Sequence, residues 1–291
     1  MTDYSIYPRN ERFYTGTERK FGITVKGKAY IVKFQKNSPE GYRFNHVSEY
    51  LGSHIFNLLG VPVQESHLGL YDGQQVVCVR DFLDDGETFV PFNGVGDSSL
   101  EEDREKYQYD YEDIMRMLRE NMKLTNVSET IECFWDTFII DALLGNFDRH
   151  GSNWGFIKKD NRYRIAPVFD NGSCLFPQLN TDEKLDSVLS SDEEMIKRVV
   201  TFPTTQIKLQ GRKSSYHDVI GSLQFEECNR ALSRITGRVE WDKIDALIDE
   251  ASFISDQRKE FYRQMLRTRY EKTLKIDKKE VTACETGCRH D

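Results

Sequence analysis

The chain has 291 residues, a formal net charge of -8 at pH 7 and a mean hydropathy of -0.62. This acidic balance provides no basic stripe for a phosphate backbone, which excludes a protein built to hold nucleic acid but leaves nucleotide binding open. The sequence contains no apolar run of about 18 residues, and its start, MTDYSIYPRNERF, lacks the apolar core of a signal peptide. We therefore expect a cytoplasmic protein without a membrane span, with secretion into a host left open.

The first third of the chain predicts a β-rich lobe over residues 1 to 84. The segment FGITVKGKAYIVKF indicates a hairpin of two β-branched strands that turn at residues 26 to 28. Residues 45 to 60 carry apolar side chains at helical spacing, and Gly60 followed by Pro62 ends this principal helix. VQESHLGLY and QQVVCVRDFL predict two further strands around the turn Asp72-Gly73. The expected order is strand, strand, helix, strand, strand.

The remaining sequence predicts a flexible acidic connector over residues 85 to 110 and a mainly helical lobe over 111 to 291. Helices are expected at 111 to 121 and at 128 to 145, where Ser128 is the expected N-cap. NWGFIKK and RYRIAPVFD predict two short strands around the turn Asp160-Asn161. Beyond Pro177 the pattern is mostly helical, with helices near 192–200, 216–235, 240–250 and 256–275. The fold class expected is therefore a two-lobed α+β protein.

Polar residues that can carry chemistry lie in GNFDRHGSNWGF, residues 145 to 156. Asp148 follows an apolar helix, Asn153 stands at the expected start of one strand, and Asp170 ends the next strand. Because the open ends of a hairpin meet, Asn153 and Asp170 are expected at the same end, where their oxygens suit Mg²⁺. Asp148 would then orient or deprotonate a hydroxyl. This combination is the one that phosphoryl transfer needs.

The first lobe contains residues that could bind the phosphates in such a transfer. Lys33 lies on an apolar strand from which it can reach a phosphate, and Glu49 lies on the following helix, where it can pair with Lys33. Gly16 in YTGTERK can let backbone amides approach a phosphate. Taken singly, a strand lysine often only extends its ammonium to water, and a glutamate often only favours a helix N-terminus. Their order along the chain is nevertheless that of a protein kinase.

LLGNFDRHGSNWGF and IAPVFDNGSCLFP resemble the HipA-type serine/threonine kinases, in particular the compact CtkA-type members. The resemblance extends to YIVKF, SEY and VPVQE and covers roughly residues 12 to 180. It implies a protein-kinase-like fold, with a β-rich N-lobe that carries one principal helix and a mainly helical C-lobe. It also implies transfer of the ATP γ-phosphate to protein hydroxyls with Mg²⁺, including autophosphorylation.

The resemblance also implies roles for individual residues. Asp148 is expected to be the catalytic base, Asn153 and Asp170 the magnesium ligands, and Lys33 the phosphate anchor braced by Glu49. Backbone groups of Arg80 and Phe82 in VRDFL are expected to recognise adenine. TGTERK is expected to cover the phosphates, with Gly16 at its turn, Thr17 within it and Lys20 at its end.

The sequence departs from the family pattern at two points. D-R-H stands where ordinary protein kinases have H-R-D, so the role of His150 is open, and Arg149 is expected to pair with a core carboxylate such as Asp141. The position of the regulatory serine of HipA falls near Phe13, which leaves Thr15 and Thr17 as candidate autophosphorylation sites. No part of the sequence indicates the extra domain with which longer HipA proteins bind an antitoxin, and such a partner is left open. Asn171 and Ser173 are expected to form a turn.

Two alternatives stay open at this point. Phosphoinositide-type lipid kinases share a D-R-H-x-x-N loop, but they need a basic surface that faces the membrane, and this acidic chain does not indicate one. A nucleotide-binding pseudokinase that acts as an interaction module is the second alternative. The presence of all the expected polar groups argues against it.

Overall fold

The structure is a computed structural model that describes residues 1–14, 18–92, 109–120, 126–160 and 162–275. Its contacts divide the chain into two compact units. The first contains Met1–Asp84, Pro167–Ser190 and Glu240–Arg263, and the second contains Asp85–Ala166, Ser191–Val239 and the residues from Gln264 onward. The domain boundaries expected from the sequence stay a prediction.

The described residues form short strands and α-helices. The strands are β1 Thr2–Asp3, β2 Lys20–Val25, β3 Lys28–Phe34, β4 Asn37–Ser38, β5 Gly41–Tyr42, β6 Ser66–Tyr71, β7 Gln74–Arg80, β8 Thr88–Pro91, β9 Tyr109–Asp110, β10 Gly155–Lys159, β11 Arg162–Ile165, β12 Thr204–Leu209 and β13 Arg212–Ser215. The helices are α1 Asn45–Leu58, α2 Tyr111–Glu120, α3 Val127–Leu144, α4 Asp182–Leu189, α5 Asp192–Ile196, α6 Tyr216–Gly221, α7 Glu226–Thr236, α8 Trp241–Glu250 and α9 Asp256–Arg269. Single π-helical turns follow α5 and α9, at Lys197–Thr201 and Tyr270–Leu274.

The first unit is built on a sheet with the strand order β1-β6-β7-β3-β2. Its two tight hairpins have left-handed backbone at both central residues, Lys26-Gly27 and Asp72-Gly73, which is the type I′ geometry that matches the twist of paired strands. Both predicted hairpins are therefore confirmed. Helix α1 packs against β6, β7 and α8, which buries the predicted apolar stripe of Val47, Leu51 and Ile55.

The second unit combines helices with two small sheets, ordered β11-β10-β8 and β13-β12-β9. The expectation of a flexible, loop-like connector over residues 85 to 110 is wrong for Thr88–Pro91, which pairs with β10 as an antiparallel strand, and for Tyr109–Asp110, which pairs with β12. Residues 93 to 108 of the connector, and Asn161 of the predicted turn, lie outside the described residues. The hairpin of β12 and β13 was not predicted, although Thr205, Ile207 and Leu209 alternate ahead of the turn Gln210-Gly211.

Three local predictions need correction. The N-cap of α3 is Asn126, whose side chain accepts a hydrogen bond from the Glu129 backbone N–H, so Ser128 lies inside the helix. The single helix expected at 216 to 235 is two helices, α6 and α7, separated where Leu223 has a left-handed backbone. The second strand of the catalytic hairpin ends at Ile165 rather than at Asp170, because Pro167 has no N–H to donate to the ladder. No helix in the described ranges is long and apolar enough to cross a bilayer.

Candidate active site

Lys33 lies at the centre of a charged cluster in the first unit. Its ammonium Nζ is 3.1 Å from Glu49 Oε1 and 3.3 Å from Asp170 Oδ1. The side chains of Lys33 and Glu49 are buried, whereas that of Asp170 is 37% exposed and so accessible to a ligand. The cluster brings together three of the residues that the sequence analysis selected.

The charges in this cluster depend on one another. Burial disfavours the charged ammonium of Lys33, but the carboxylates of Glu49 and Asp170 outweigh this effect and hold the pKa of Lys33 above its ordinary value. Burial raises the pKa of Glu49, and the adjacent ammonium opposes that rise. Lys33 therefore stays positively charged at neutral pH, as a group that anchors phosphate must.

Helix α1 is positioned by its first residue. The Asn45 side chain accepts a hydrogen bond from the Lys36 backbone N–H at 2.8 Å and donates one to the Phe34 carbonyl at 3.1 Å. Because Phe34 directly follows Lys33 on β3, these bonds fix the start of the helix beside the strand that carries Lys33. Glu49, one turn further along α1, then faces the ammonium.

The segment around Asp170 is held on the other side of the same helix. Buried Asn171 donates a hydrogen bond to Ser53 Oγ on α1 at 3.0 Å, and its carbonyl accepts one from the Cys174 N–H. Asn171 thus forms the expected turn and in addition ties this segment to α1, a contact that was not predicted. A Cβ on Gly172 would lie 3.3 Å from Glu49 Oε2, so the segment runs close to the carboxylate.

Lys20 adds a second cation. It is the direct cross-strand partner of Lys33 in the β2–β3 ladder, which places both side chains on one face of the sheet. Burial, followed by repulsion from Lys33, lowers the pKa of Lys20. The ammonium groups of Lys20 and Lys33 can pair with phosphate oxygens, and the partly exposed carboxylate of Asp170 can bind a cation that accompanies the phosphates.

The expected adenine-binding residues lie at the end of β7. The Arg80 N–H donates to the Glu65 carbonyl at 2.9 Å, and the Arg80 carbonyl accepts from Gln64 Nε2 at 2.8 Å. Both backbone groups of Arg80 thus already form hydrogen bonds within the protein, and the expected role of Arg80 in adenine binding stays a prediction. The Phe82 ring packs against Phe169 at a centroid distance of 5.5 Å, next to Asp170. Gly16 and Thr17, together with Thr15, lie outside the described residues.

The second unit contains Asp148 and Asn153 on a loop that begins where α3 ends. Gly145 has φ 63° and ψ 40°, a left-handed conformation that glycine adopts without strain, and it caps the helix. The Asp148 N–H then donates to Asn146 Oδ1 at 3.0 Å, and Asn153 Nδ2 donates to the Asp148 carbonyl at 2.8 Å. The Asp148 carboxylate is 47% exposed, as a base that meets substrate must be.

A buried ion pair between Arg149 and Asp141 holds this loop in place. Arg149 Nε lies 2.8 Å from Asp141 Oδ2, and Arg149 Nη1 donates to the Asn153 carbonyl at 3.1 Å. Asn146 Nδ2 also donates to Asp141 Oδ1 at 2.8 Å. The expected pairing of Arg149 with Asp141 is therefore present, and Arg149 has a supporting role.

His150 lies beside the candidate base without reaching hydrogen-bond distance. Its Nδ1 accepts a hydrogen bond from the Ser152 N–H at 3.2 Å, which leaves the proton of a neutral ring on Nε2. Nε2 is 3.7 Å from Asp148 Oδ1. The ring therefore faces the carboxylate with its N–H side.

Three asparagines position the site without having been singled out for that role: Asn45, Asn146 and Asn171. Each forms hydrogen bonds that connect two segments distant in sequence or that stabilise a sharp turn. In a single sequence, such an asparagine cannot be distinguished from an ordinary turn residue. Asn146 lies within the segment GNFDRHGSNWGF that the sequence indicated, two residues before Asp148, but its role in positioning the loop was not predicted.

Each unit contains residues whose chemistry suits a hard divalent cation or a polyphosphate. In the first unit Asp170 supplies a partly exposed carboxylate. In the second unit Asn153 Nδ2 donates to the Asp148 carbonyl, so the amide oxygen of Asn153 is the atom that can bind a cation. Carboxylate and carboxamide oxygens are the ligands that Mg²⁺ prefers. Lys33 and Lys20 supply the cations for phosphate oxygens.

Comparison with known proteins identifies the family to which the chain belongs. The family model for the HipA-like C-terminal domain matches residues 13–254. The serine/threonine-protein kinase CtkA of Helicobacter pylori strain J99 is 34% identical over 279 residues, which cover 93% of this chain and 84% of that protein. The crystal structure of the H. pylori proinflammatory kinase CtkA matches with a TM-score of 0.85 at 32% identity, over 98% of this chain and 99% of the other.

A more distant match is HipA of Shewanella oneidensis MR-1, solved with HipB and its operator DNA. Its TM-score is 0.62 at 16% identity, over 94% of this chain and 67% of that chain, which shows a shared fold alone. Together the matches confirm the α+β kinase-like fold class and the HipA-type resemblance.

Proposed function

The chain belongs to the family of HipA-like C-terminal domains, within which it is a serine/threonine protein kinase of the CtkA type, and we propose that it transfers the γ-phosphoryl group of ATP to protein hydroxyls with the help of Mg²⁺. The observation that carries the proposal is the position of Lys33 between Glu49 and Asp170. A charged ammonium braced by one buried carboxylate, beside a second that is partly exposed, is the arrangement that holds nucleotide phosphates in kinases.

The first unit binds the donor in this proposal. Lys33 and Lys20 hold phosphate oxygens, and Glu49 keeps the Lys33 ammonium in place. Backbone groups of Arg80 and Phe82 contact the adenine. Asp170 and Asn153 are the residues that would hold Mg²⁺, which would neutralise charge on the transferring group when bound.

The second unit supplies the base. As the acceptor oxygen bonds to the γ-phosphorus and the bond to the β–γ bridging oxygen breaks, the hydroxyl proton passes to the Asp148 carboxylate. The hydrogen bonds from the Asp148 N–H to Asn146 Oδ1 and from Asn153 Nδ2 to the Asp148 carbonyl hold this residue before substrate arrives. Such preorganisation lowers the reorganisation needed during transfer.

Autophosphorylation belongs to the same proposal. Thr15 and Thr17 are the candidate hydroxyls from the sequence, and they stay predictions. The physiological acceptor is a protein, because the chain belongs with protein kinases; the cytoplasmic location stays a prediction as well.

The proposal is tested by incubating the purified protein with Mg²⁺ and ATP labelled at the γ-phosphate. Three acceptors are compared: the protein itself, casein, and vesicles that contain phosphatidylinositol. We expect label on serine and threonine of the protein acceptors. Label in lipid alone would favour a lipid kinase, and nucleotide-dependent thermal stabilisation without any transfer would favour a pseudokinase.

A further inference from the structure

The first unit contains a cavity of about 780 Å³ that the kinase mechanism does not use. It lies where the residues before β2, the connection from β3 to α1 and the turn between β6 and β7 come together. Its volume is in the upper part of the range of ~300 to 1,000 Å³ that is typical of ligand sites. It is therefore larger than an inorganic ion requires.

Positive charge dominates the lining. Arg19, Lys36 and Arg43 contribute three cations, and the one carboxylate, Glu18, already pairs with Lys36 at 2.6 Å. The Arg19 guanidinium lies flat over the Phe34 ring at 4.0 Å and donates to Gln74 Oε1 at 3.0 Å. Among the residues that the structure describes, neither Arg19 nor Arg43 forms an ion pair. An excess of cations on a chain with a net charge of -8 needs an explanation.

Two of the three lining glutamines present hydrogen-bond donors, whereas the NH₂ of Gln35 donates to the Arg43 carbonyl and leaves its oxygen as an acceptor. Gln74 Oε1 is used by Arg19, and Gln75 Oε1 lies 3.1 Å from His46 Nε2. These contacts use the carbonyl ends of the two amides and leave the NH₂ ends for a ligand. A cavity lined by two guanidiniums, one ammonium and two amide NH₂ groups matches a ligand that is rich in acceptors and negatively charged.

We propose that this cavity docks an acidic segment of the protein that the kinase phosphorylates. The inference rests on the proposed function, since a protein kinase has a polypeptide as its acceptor. Aspartate and glutamate carboxylates pair with the guanidiniums in bidentate geometry, and peptide carbonyls accept from the glutamine NH₂ groups. The size of the cavity favours several linked residues over one small anion.

Docking at this place is linked to the catalytic cluster through the chain itself. Phe34, which lines the cavity, follows Lys33 directly, and Asn45 binds both the Phe34 carbonyl and the Lys36 N–H. A tethered acceptor has a raised effective concentration at the base, which lowers KM and leaves the chemical step unchanged.

The test is direct binding. A fluorescein-labelled peptide of alternating glutamate and glycine, without hydroxyl residues, is titrated with the protein in the absence of ATP, and its anisotropy is followed. We expect saturable binding that weakens by about tenfold in Arg43→Gln, as expected for loss of one charge-assisted bidentate contact. The matched control is Arg162→Gln, an exposed arginine on β11 of the other unit, which should bind as the parent does.

Further arms separate the possible outcomes. A peptide with glutamine in place of glutamate should not bind, and inorganic phosphate should displace the acidic peptide only at much higher concentration. Equal binding by Arg43→Gln and the parent, or displacement by phosphate at the concentration of the peptide, would overturn the proposal. Arg43 forms no ion pair with the described residues, so its substitution should leave the fold intact, and a thermal unfolding curve checks this.

Activity gives an independent second readout. With the same acidic peptide extended by one serine, Arg43→Gln should raise KM and leave kcat unchanged. Because the anisotropy assay contains no ATP, a failure of docking is distinguishable from a failure of the proposed phosphoryl transfer.

Discussion

Asp141 and Arg149 form a buried two-point ion pair under the loop that carries Asp148. Arg149 Nε donates to Asp141 Oδ2 at 2.8 Å and Nη2 donates to Oδ1 at 3.1 Å, and the side chains are only 9% and 1% exposed. Bidentate pairing of this kind fixes the guanidinium plane as well as its position. Because the same arginine donates to the Asn153 carbonyl, the pair positions the loop that carries the base and one candidate metal ligand.

Replacing Arg149 with methionine should destabilise the protein strongly. The variant leaves the Asp141 carboxylate buried without its counter-ion, a change that costs about 3–5 kcal/mol of unfolding free energy. Urea denaturation measures this loss. Arg230→Met is the matched control, because its ion pair with Glu226 is exposed and is worth at most about 1 kcal/mol. Equal effects of the two substitutions would contradict a supporting role for Arg149.

Gly52 on α1 is expected to be required for the correct position of Asp170. A Cβ at this position would lie 2.9 Å from Asn171 Cβ, so alanine must push the segment of Asp170 away from the helix. Although alanine favours helix by about 1 kcal/mol over glycine, we expect Gly52→Ala to lower kcat/KM by roughly tenfold to a hundredfold. Gly221→Ala, where no atom lies within 4 Å of the added Cβ, should keep the parental rate.

His46 should make stability depend on pH. Burial lowers the pKa of this histidine to about 4, and its Nδ1 is buried without a hydrogen-bond partner among the described residues. The unfolded chain takes up a proton near its ordinary pKa of about 6.5 while the folded chain does not, so stability falls as the pH drops from about 6.5 to 4. The full effect is about 3 kcal/mol. Denaturation across this range should show a flatter profile for His46→Gln, and parallel profiles would contradict the assignment.

Asp170→Asn should distinguish magnesium-dependent nucleotide binding from magnesium-free binding. The variant removes the carboxylate that we propose as a ligand for Mg²⁺, which is also one of the two carboxylates that contact Lys33, while Glu49 still holds the ammonium. We expect magnesium-dependent thermal stabilisation by ATP to be lost and magnesium-free binding to persist; the parent should gain about 2.7 kcal/mol at a ligand concentration 100 times Kd. Asp256→Asn, at a fully exposed position on α9, is the control. A magnesium response in Asp170→Asn equal to that of the parent would remove Asp170 from the metal site.

Local pattern was sufficient wherever local forces decide the structure. The type I′ turns at Lys26-Gly27 and Asp72-Gly73 need left-handed backbone, which the glycine at the second central position of each turn adopts without strain, and the stripe of α1 needs only periodic burial. Where two residues compete for one role, as Asn126 and Ser128 do for the cap of α3, the sequence alone does not decide. Both side chains can accept the hydrogen bond, and the start of helical geometry selects between them.

The sequence was sufficient to predict which residues form the candidate site. It was not sufficient to predict the hydrogen bonds that hold these residues in place. Lys33, Glu49 and Asp170 followed from their order along the chain, and the structure brings these three together. Asn45 and Asn171 were not predicted to hold the site because their partners, Phe34 and Ser53, are distant in sequence. Contacts of this kind depend on tertiary packing, which a single sequence does not display.

The most direct test of the account is the initial rate of phosphoryl transfer by Asp148→Asn. The substitution keeps the shape of the side chain and both backbone hydrogen bonds but removes the carboxylate that we propose as the proton acceptor. With labelled ATP and Mg²⁺ in excess, we predict a rate at least about a hundredfold below that of the parent, while nucleotide binding stays unchanged. An unchanged transfer rate would contradict the role of Asp148 as the base, and with it the mechanism proposed for this kinase.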